Sequence, residues 1–304
     1  MQPLAKYRVL SLGQAWAAPY ADMMLADMGA DVVKLEPPGA GDHVRKWSRG
    51  DLHGASPHFI AVNRNKRGIV VDLKTERGRA IAADLAGAAD VLIENFSPGT
   101  LDRLGLGHEA LRARHPRLVY CSVSGFGSTG PYAGCAAYDL VMQAESGFIS
   151  VTGSESGEPA KVGVPAIDVM AGMVAAYTIV CALMERDRTG AGRFLDLSML
   201  EAATSVMGFN LVAHAISGDI SRPLGTAHPL VAPYQVYATA TTSIAIGVLT
   251  QAHWEAFCDL AGRPSLAADA RFRTAVDRID HRAALNREIA PLLAARPAAH
   301  WLAE

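Results

Sequence analysis

The sequence predicts an α/β fold: an open, mostly parallel sheet with helices on both faces, followed by a smaller, differently built α+β domain. Three observations predict it. Short β-branched runs alternate with Ala- and Leu-rich helical segments from the first residues onward, the pattern of a parallel sheet wrapped by crossover helices. Helix-ending residues punctuate that alternation, with Gly29 after the first helical segment, Gly87 in the second and Pro116 after another. The chain has 304 residues, half of them apolar, which at roughly 150 residues per domain allows about two domains with a large core.

The elements follow in order. RVLSL is a strand, PYADMMLADMG a helix and DVVKLE a strand. Next come the strand GIVVDL, the helix RGRAIAADLAGAA, the strand DVLIENF, the helix TLDRLGLGHEALRARHP and the strand RLVYCSVSGFG. Residues 169–184 form the longest apolar run. It falls short of the roughly 20 residues of a membrane span, is bounded by Asp168 and by Glu185 and Arg186, and reads as a buried helix. RFLDLSML and EAATSVMGFNLVAHAI add one more strand and helix. Residues 217–233 concentrate Gly, Pro and Ser and mark a linker. This places a large domain at 1–216 and a small one at 234–304, the latter opening with a hairpin in YQVYATATTSIAIGVL and a helix near His253.

Composition excludes several classes. With 19% charged residues the chain is neither disordered nor a coiled coil. A net charge of -2, from 28 Lys and Arg against 30 Asp and Glu, argues against a nucleic-acid partner. The four Cys lie far apart without a C-x-x-C pair, as expected of reduced thiols in a cytoplasm. The ten His show no H-E-x-x-H, so no metal site is expected. Lys6 and Arg8 precede an apolar stretch, but Gln14 interrupts it and Asp22 follows closely. A first strand and its turn explain it better than a signal peptide.

Four features carry chemistry. GFGSTG at 125–130 matches G-x-G-x-x-G, yet Pro131, Tyr132 and Gly134 prolong the loop where a dinucleotide site needs a helix to begin. Asp168 stands between an extended apolar stretch and the long apolar helix. There its residues favour an ordinary helix N-cap, a reading compatible with a carboxylate nucleophile partly desolvated by Val164, Ile167, Val169 and Met170. The basic cluster at 63–79 suits either a solvated surface or phosphate binding. ENFSPGT joins a strand end, an amide and an aromatic to a Pro-Gly turn, a combination suited to a flat heterocycle or a thioester.

Six segments in register resemble the class III CoA-transferases of the CaiB/BaiF type, which include formyl-CoA transferase, the carnitine CoA-transferases and the related α-methylacyl-CoA racemases. They are VLSLGQAWAAPYADMMLADMGADVVKLEPPGAGDHVR, NRNKRGIVVDLKTERGR, ENFSPGTLDRLGLG, SGFGSTGPYAGCAAYDLVMQAESG, GVPAIDVMAGMVAAY and RTGAGRFLDLSMLEA. HPLVAPYQVY extends the match. The resemblance implies a Rossmann-like large domain, an interlocked homodimer, and transfer of CoA between an acyl-CoA, such as succinyl-CoA, and a small carboxylic acid. It implies a nucleophile at Asp168, passing through an aspartyl mixed anhydride and an aspartyl-CoA thioester. No tightly bound cofactor is implied; coenzyme A enters as part of the substrate. CoA would lie along Trp16, Ala17, Leu73, Lys74, Asn95, Phe96, Ser97, Arg103, Tyr138 and Asp139. The racemase branch carries His where this chain has Tyr138, whose ordinary pKa near 10 makes a poor neutral-pH base. Transferase is therefore expected over racemase, with a non-catalytic CoA-binding protein as the alternative from another class. The Gly-rich flap of some transferases is not evident at 217–233, and relatives continue beyond the point matching AHWLAE, so the small domain is expected to be truncated.

Overall fold

The computed structural model describes residues 2–47 and 54–303. The chain folds into two units, one of residues 1–148 and 161–219, the other of 149–160 and 220–304. Residues 149–160 thus join the second unit, a long-range association that the sequence division at 216 and 234 did not include.

The first unit is built on six strands: β1 (Arg8–Ser11), β2 (Asp31–Glu36), β3 (Lys66–Val70), β4 (Val91–Glu94), β5 (Val119–Ser124) and β6 (Phe194–Ser198). They are all parallel and lie in the order β3-β2-β1-β4-β5-β6. The order reverses between β1 and β4, and at such a switch point the crevice beyond the strand C-termini is free to take a ligand. Helices α1 (Ala17–Asp27), α2 (Pro57–Asn63), α3 (Glu76–Ala88), α4 (Thr100–Arg103), α5 (His108–Arg114) and α6 (Asp139–Glu145) follow. After α7 (Phe148–Val151) come α8 (Ala166–Thr189), α9 (Met199–Val206) and α10 (Gly208–Ser217). Leu10 and Leu92 pair in register, as do Leu92 and Tyr120. They bury with Ala82 and Ala86 of α3 and Leu111 of α5 on one face of the sheet. Helices α1 and α8 pack together. The approach is close enough that a Cβ on Gly172 would sit 2.8 Å from the Ala17 carbonyl oxygen.

The predicted α/β architecture is present, with local differences. The third strand begins at Lys66, ahead of GIVVDL. The single helix expected over 100–116 is broken into α4 and α5, because Gly105 takes a left-handed φ of 72° and Leu106 turns into the core. The helix expected over 201–216 bends by 64° between α9 and α10. No strand leads into Asp168 among the described residues; residues 160–165 are irregular.

The second unit pairs β7 (Tyr234–Ala238) antiparallel to β8 (Ser243–Gly247). Helices α11 (Gln251–Leu260), α12 (Ser265–Ala268), α13 (Ala275–Asp280), α14 (Arg282–Ala294) and α15 (Ala298–Ala303) complete it. Trp254, Phe272, Leu285, Ile289 and Leu293 form its core. Arg278 is buried there and donates to the carbonyls of Ala232 (2.9 Å) and Phe272 (3.0 Å) and to Gln251 Oε1 (3.1 Å), so its charge is solvated by protein dipoles.

Candidate active site

A cavity of about 700 Å³ opens beyond the C-terminal ends of β1, β4 and β5, within the range of small-molecule sites. Three strand-end segments line it: Gln14–Ala17, Asn95–Pro98 and Val123–Gly125. The two segments that flank the switch point are tied to each other. Asn95 accepts from the Gln14 amide through Oδ1 at 2.8 Å and donates through Nδ2 to the Gln14 carbonyl, also at 2.8 Å. Met199, at the start of α9, adds an apolar surface.

Asp168 lines the same cavity. Its helix starts at Ala166 with Pro165 at the cap position, so Asp168 is the third helical residue rather than the N-cap read from sequence. The capping is supplied from another helix. Asp139 Oδ1 accepts the amide protons of Ile167 (2.8 Å) and Asp168 (3.2 Å), two of the donors that a helix start leaves unpaired. Asp139 Oδ2 accepts from Gln143 Nε2 at 2.5 Å, and Gln143 Oε1 in turn holds the Val162 amide at 2.8 Å. Asp139 is therefore fully engaged, whereas the Asp168 side chain takes no hydrogen bond among the described residues. Burial, reinforced by the nearby charge of Asp139, pushes the Asp168 carboxyl up to about 7. A carboxylate raised in this way is basic enough to attack a carbonyl yet is still substantially ionised near neutrality.

Two more buried carboxylates shape the walls. Glu94, at the end of β4, accepts the Phe96 amide at 2.8 Å and so folds the Asn95–Pro98 turn. Burial lifts its carboxyl to about 7, against the lowering effect of hydrogen bonds from Ser122 and the Phe96 amide. Asp42 accepts the amides of Ala15 and Val44, one on each of two wall segments.

The cavity gathers Trp16, Ala17, Asn95, Phe96, Ser97, Tyr138, Asp139 and Asp168, eight of the eleven residues expected at the site. Leu73, Lys74 and Arg103 are not among its lining residues. Leu73 packs against the core beneath α3, Lys74 is exposed just before α3, and Arg103 donates to Thr100 Oγ1 at 3.1 Å on the surface of α4. Much of the basic cluster is spent on ion pairs: Arg64 with Asp27, Arg67 with Asp31 and buried Lys66 with Asp22. Sequence reasoning missed Gln14, His43, Trp47, His58, Lys161 and Met199 in the lining. Gln14 carried one signal, a lone amide inside an apolar run; the others lie on turns whose approach depends on the tertiary fold.

Comparison with known proteins identifies the family to which the chain is similar. The sequence model of CoA-transferase family III matches residues 4–304. The chain is 40% identical over 286 residues to a succinate–glutarate CoA-transferase of Agrobacterium fabrum, covering 92% of this chain and 72% of that protein. It is 39% identical over 297 residues to an acetyl-CoA:oxalate CoA-transferase of Acetobacter aceti, covering 97% and 76%. The crystal structure of a CaiB/BaiF family protein from Brucella suis superposes with a TM-score of 0.88 at 37% identity, covering 99% of this chain and 80% of that one.

Proposed function

This chain belongs to CoA-transferase family III, and from that premise we propose that Asp168 carries CoA between an acyl-CoA and a carboxylic acid as a covalent nucleophile. The supporting observation is the pairing of Asp168 with Asp139, which leaves one carboxylate raised toward neutrality and unengaged in the cavity. An Asp168 oxygen attacks the thioester carbonyl, the C–S bond breaks, and CoA thiolate leaves a mixed anhydride. The thiolate then attacks the aspartyl carbonyl, expelling the donor acid as carboxylate and forming an aspartyl-CoA thioester. The acceptor carboxylate attacks this thioester, and the released thiolate attacks the acceptor's acyl carbon, restoring the Asp168 carboxylate. No net proton moves, and thioester energy is conserved as long as water stays out.

The acids are dicarboxylic in this reading, with succinyl-CoA as a suitable donor. Lys161 is the one Lys or Arg in the cavity lining among the described residues, and its ammonium is bonded only to the neighbouring Val162 carbonyl at 3.2 Å. It is therefore available to a remote carboxylate. Trp16, Ala17, Asn95, Phe96, Ser97 and Tyr138 would receive the CoA arm, with Leu73, Lys74 and Arg103 meeting its more distant parts.

The protein acts in this reading as a cytoplasmic homodimer. Exposed Met173, Val174, Tyr177 and Met184 on α8, with Phe209, Leu211, Val212 and Ile216 on α10, supply apolar surface for a second copy. Transfer assays test the function: wild type moves CoA from succinyl-CoA to a dicarboxylate, whereas Asp168→Asn binds CoA and transfers none. An active Asp168→Asn variant refutes the assignment.

A further inference from the structure

We propose that Asp42 is a positioning residue for this site, acting through Ala15 to set Trp16 in the cavity wall; this rests on the cavity being the acyl-CoA site. Ala15 has a φ of 60°, the left-handed region that an L-residue other than glycine enters at a cost. The backbone around it is held by side chains from three separate places. Lys34 Nζ donates to the Gly13 carbonyl at 2.5 Å, Asn95 bonds both the amide and the carbonyl of Gln14, and Asp42 Oδ1 accepts the Ala15 amide at 3.3 Å.

Asp42 is the junction of this arrangement. The same Oδ1 accepts the Val44 amide at 3.2 Å and starts the 3₁₀ turn His43–Lys46, which brings Val44 and Trp47 into the cavity lining, where Trp16 and Trp47 both meet the His58 ring. Its own amide donates to Glu36 Oε2 at 2.8 Å, and Glu36 is clasped by Arg45. Asp42 Oδ2 lies 3.0 Å from Lys34 Nζ, as an ion pair outside hydrogen-bond geometry, with both residues at most 2% exposed. A buried ion pair is a weak way to add stability, because desolvation offsets its attraction. What this one supplies is direction: a single carboxylate fixes two wall segments against each other and keeps Ala15 in a conformation it would otherwise leave.

The test combines kinetics with a readout that needs no substrate. Asp42→Ala raises KM for acyl-CoA roughly 5- to 30-fold, the range set by the handed preference of an L-residue. It leaves kcat within about threefold, because Asp168 is held by Asp139 on separate elements. The Trp16 fluorescence of the free enzyme, taken as the difference from the matching Trp16→Phe proteins, shifts as the indole loses its place. Adding Ala15→Gly to Asp42→Ala recovers part of the KM, since glycine adopts φ near 60° unaided. If Asp42→Ala does not fold, Ala15→Val in the intact protein puts a β-branched residue at the left-handed position and reproduces the KM rise. An unchanged KM in either folded variant overturns the proposal, as does an equal loss in kcat without a KM rise. These outcomes are separable from failure of the functional reading, which would appear as wild-type enzyme that forms no adduct on Asp168.

Discussion

Asp139 and Asp168 are joined by a hydrogen bond that runs from the Asp168 amide, not its side chain: one carboxylate caps the helix that presents the other. The cap fixes where the Asp168 side chain emerges, and its negative charge adds to burial in raising the Asp168 carboxyl to about 7. The one contact thus sets the geometry and adds to a basicity that comes chiefly from burial.

That relationship sets a pH profile. Attack requires the ionised form, so the rate of Asp168 acylation rises with pH through about 7 and levels off above it. Asp139→Asn keeps an oxygen for the two amides and removes the like charge, which moves the rising limb to lower pH. The movement is partial, because burial is the larger cause. Single-turnover rates from pH 5 to 8 check this; a limb displaced upward would contradict it.

Stability has the opposite dependence. Glu94 and Asp168 both have carboxyls raised to about 7 in the fold, above their ordinary range near 4. The native state therefore holds protons that the unfolded chain has released, and their contribution is fully present below about pH 4 and lost as pH rises to about 7. Denaturant titrations of Glu94→Gln should give a flatter decline between pH 5 and 7 than wild type. A steeper decline would be inconsistent with a raised Glu94.

Gly172 tests the α1–α8 contact. A methyl there would meet the Ala17 carbonyl oxygen at 2.8 Å and the Tyr20 Cβ at 3.0 Å, so Gly172→Ala has to separate the helix bearing Asp168 from the helix that begins beside Trp16. Overpacking of this kind costs about 1–3 kcal/mol, and thermal unfolding with a parallel kcat/KM measurement reads both consequences. An alanine variant with native stability and activity would show that the contact is slack.

Lys161 tests the acid specificity. Lys161→Met should raise KM for succinate or glutarate about tenfold or more, equivalent to roughly 1.4 kcal/mol, while leaving KM for a monocarboxylate such as butyrate nearly unchanged. Lys161→Arg should keep the preference. Equal losses on both classes of acid would assign Lys161 to CoA instead.

The legible part of this protein was the part governed by local rules. Strand β2 over Asp31–Glu36 follows from its residues directly, and the apolar helix of α8 from its run of Ala, Val and Met. Eight residues expected at the site do line one cavity, because resemblance carries positions that periodicity cannot. Periodicity alone could not show that Asp139 would cap a helix beginning 27 residues later, since a cap read locally must lie next to its helix. It likewise could not show that Lys66, in a cluster that suits either a solvated surface or phosphate binding, would be buried against Asp22. Nor could it reveal Asp42 reaching Ala15, a contact across 27 residues made by a turn with no regular pattern.

The most direct measurement of the central claim is mass spectrometry of the protein after brief exposure to succinyl-CoA without an acceptor acid. The account predicts a covalent adduct localised to the peptide containing Asp168, sensitive to hydroxylamine and absent from Asp168→Ala. An adduct on another residue, or full transfer by the alanine variant, would contradict it.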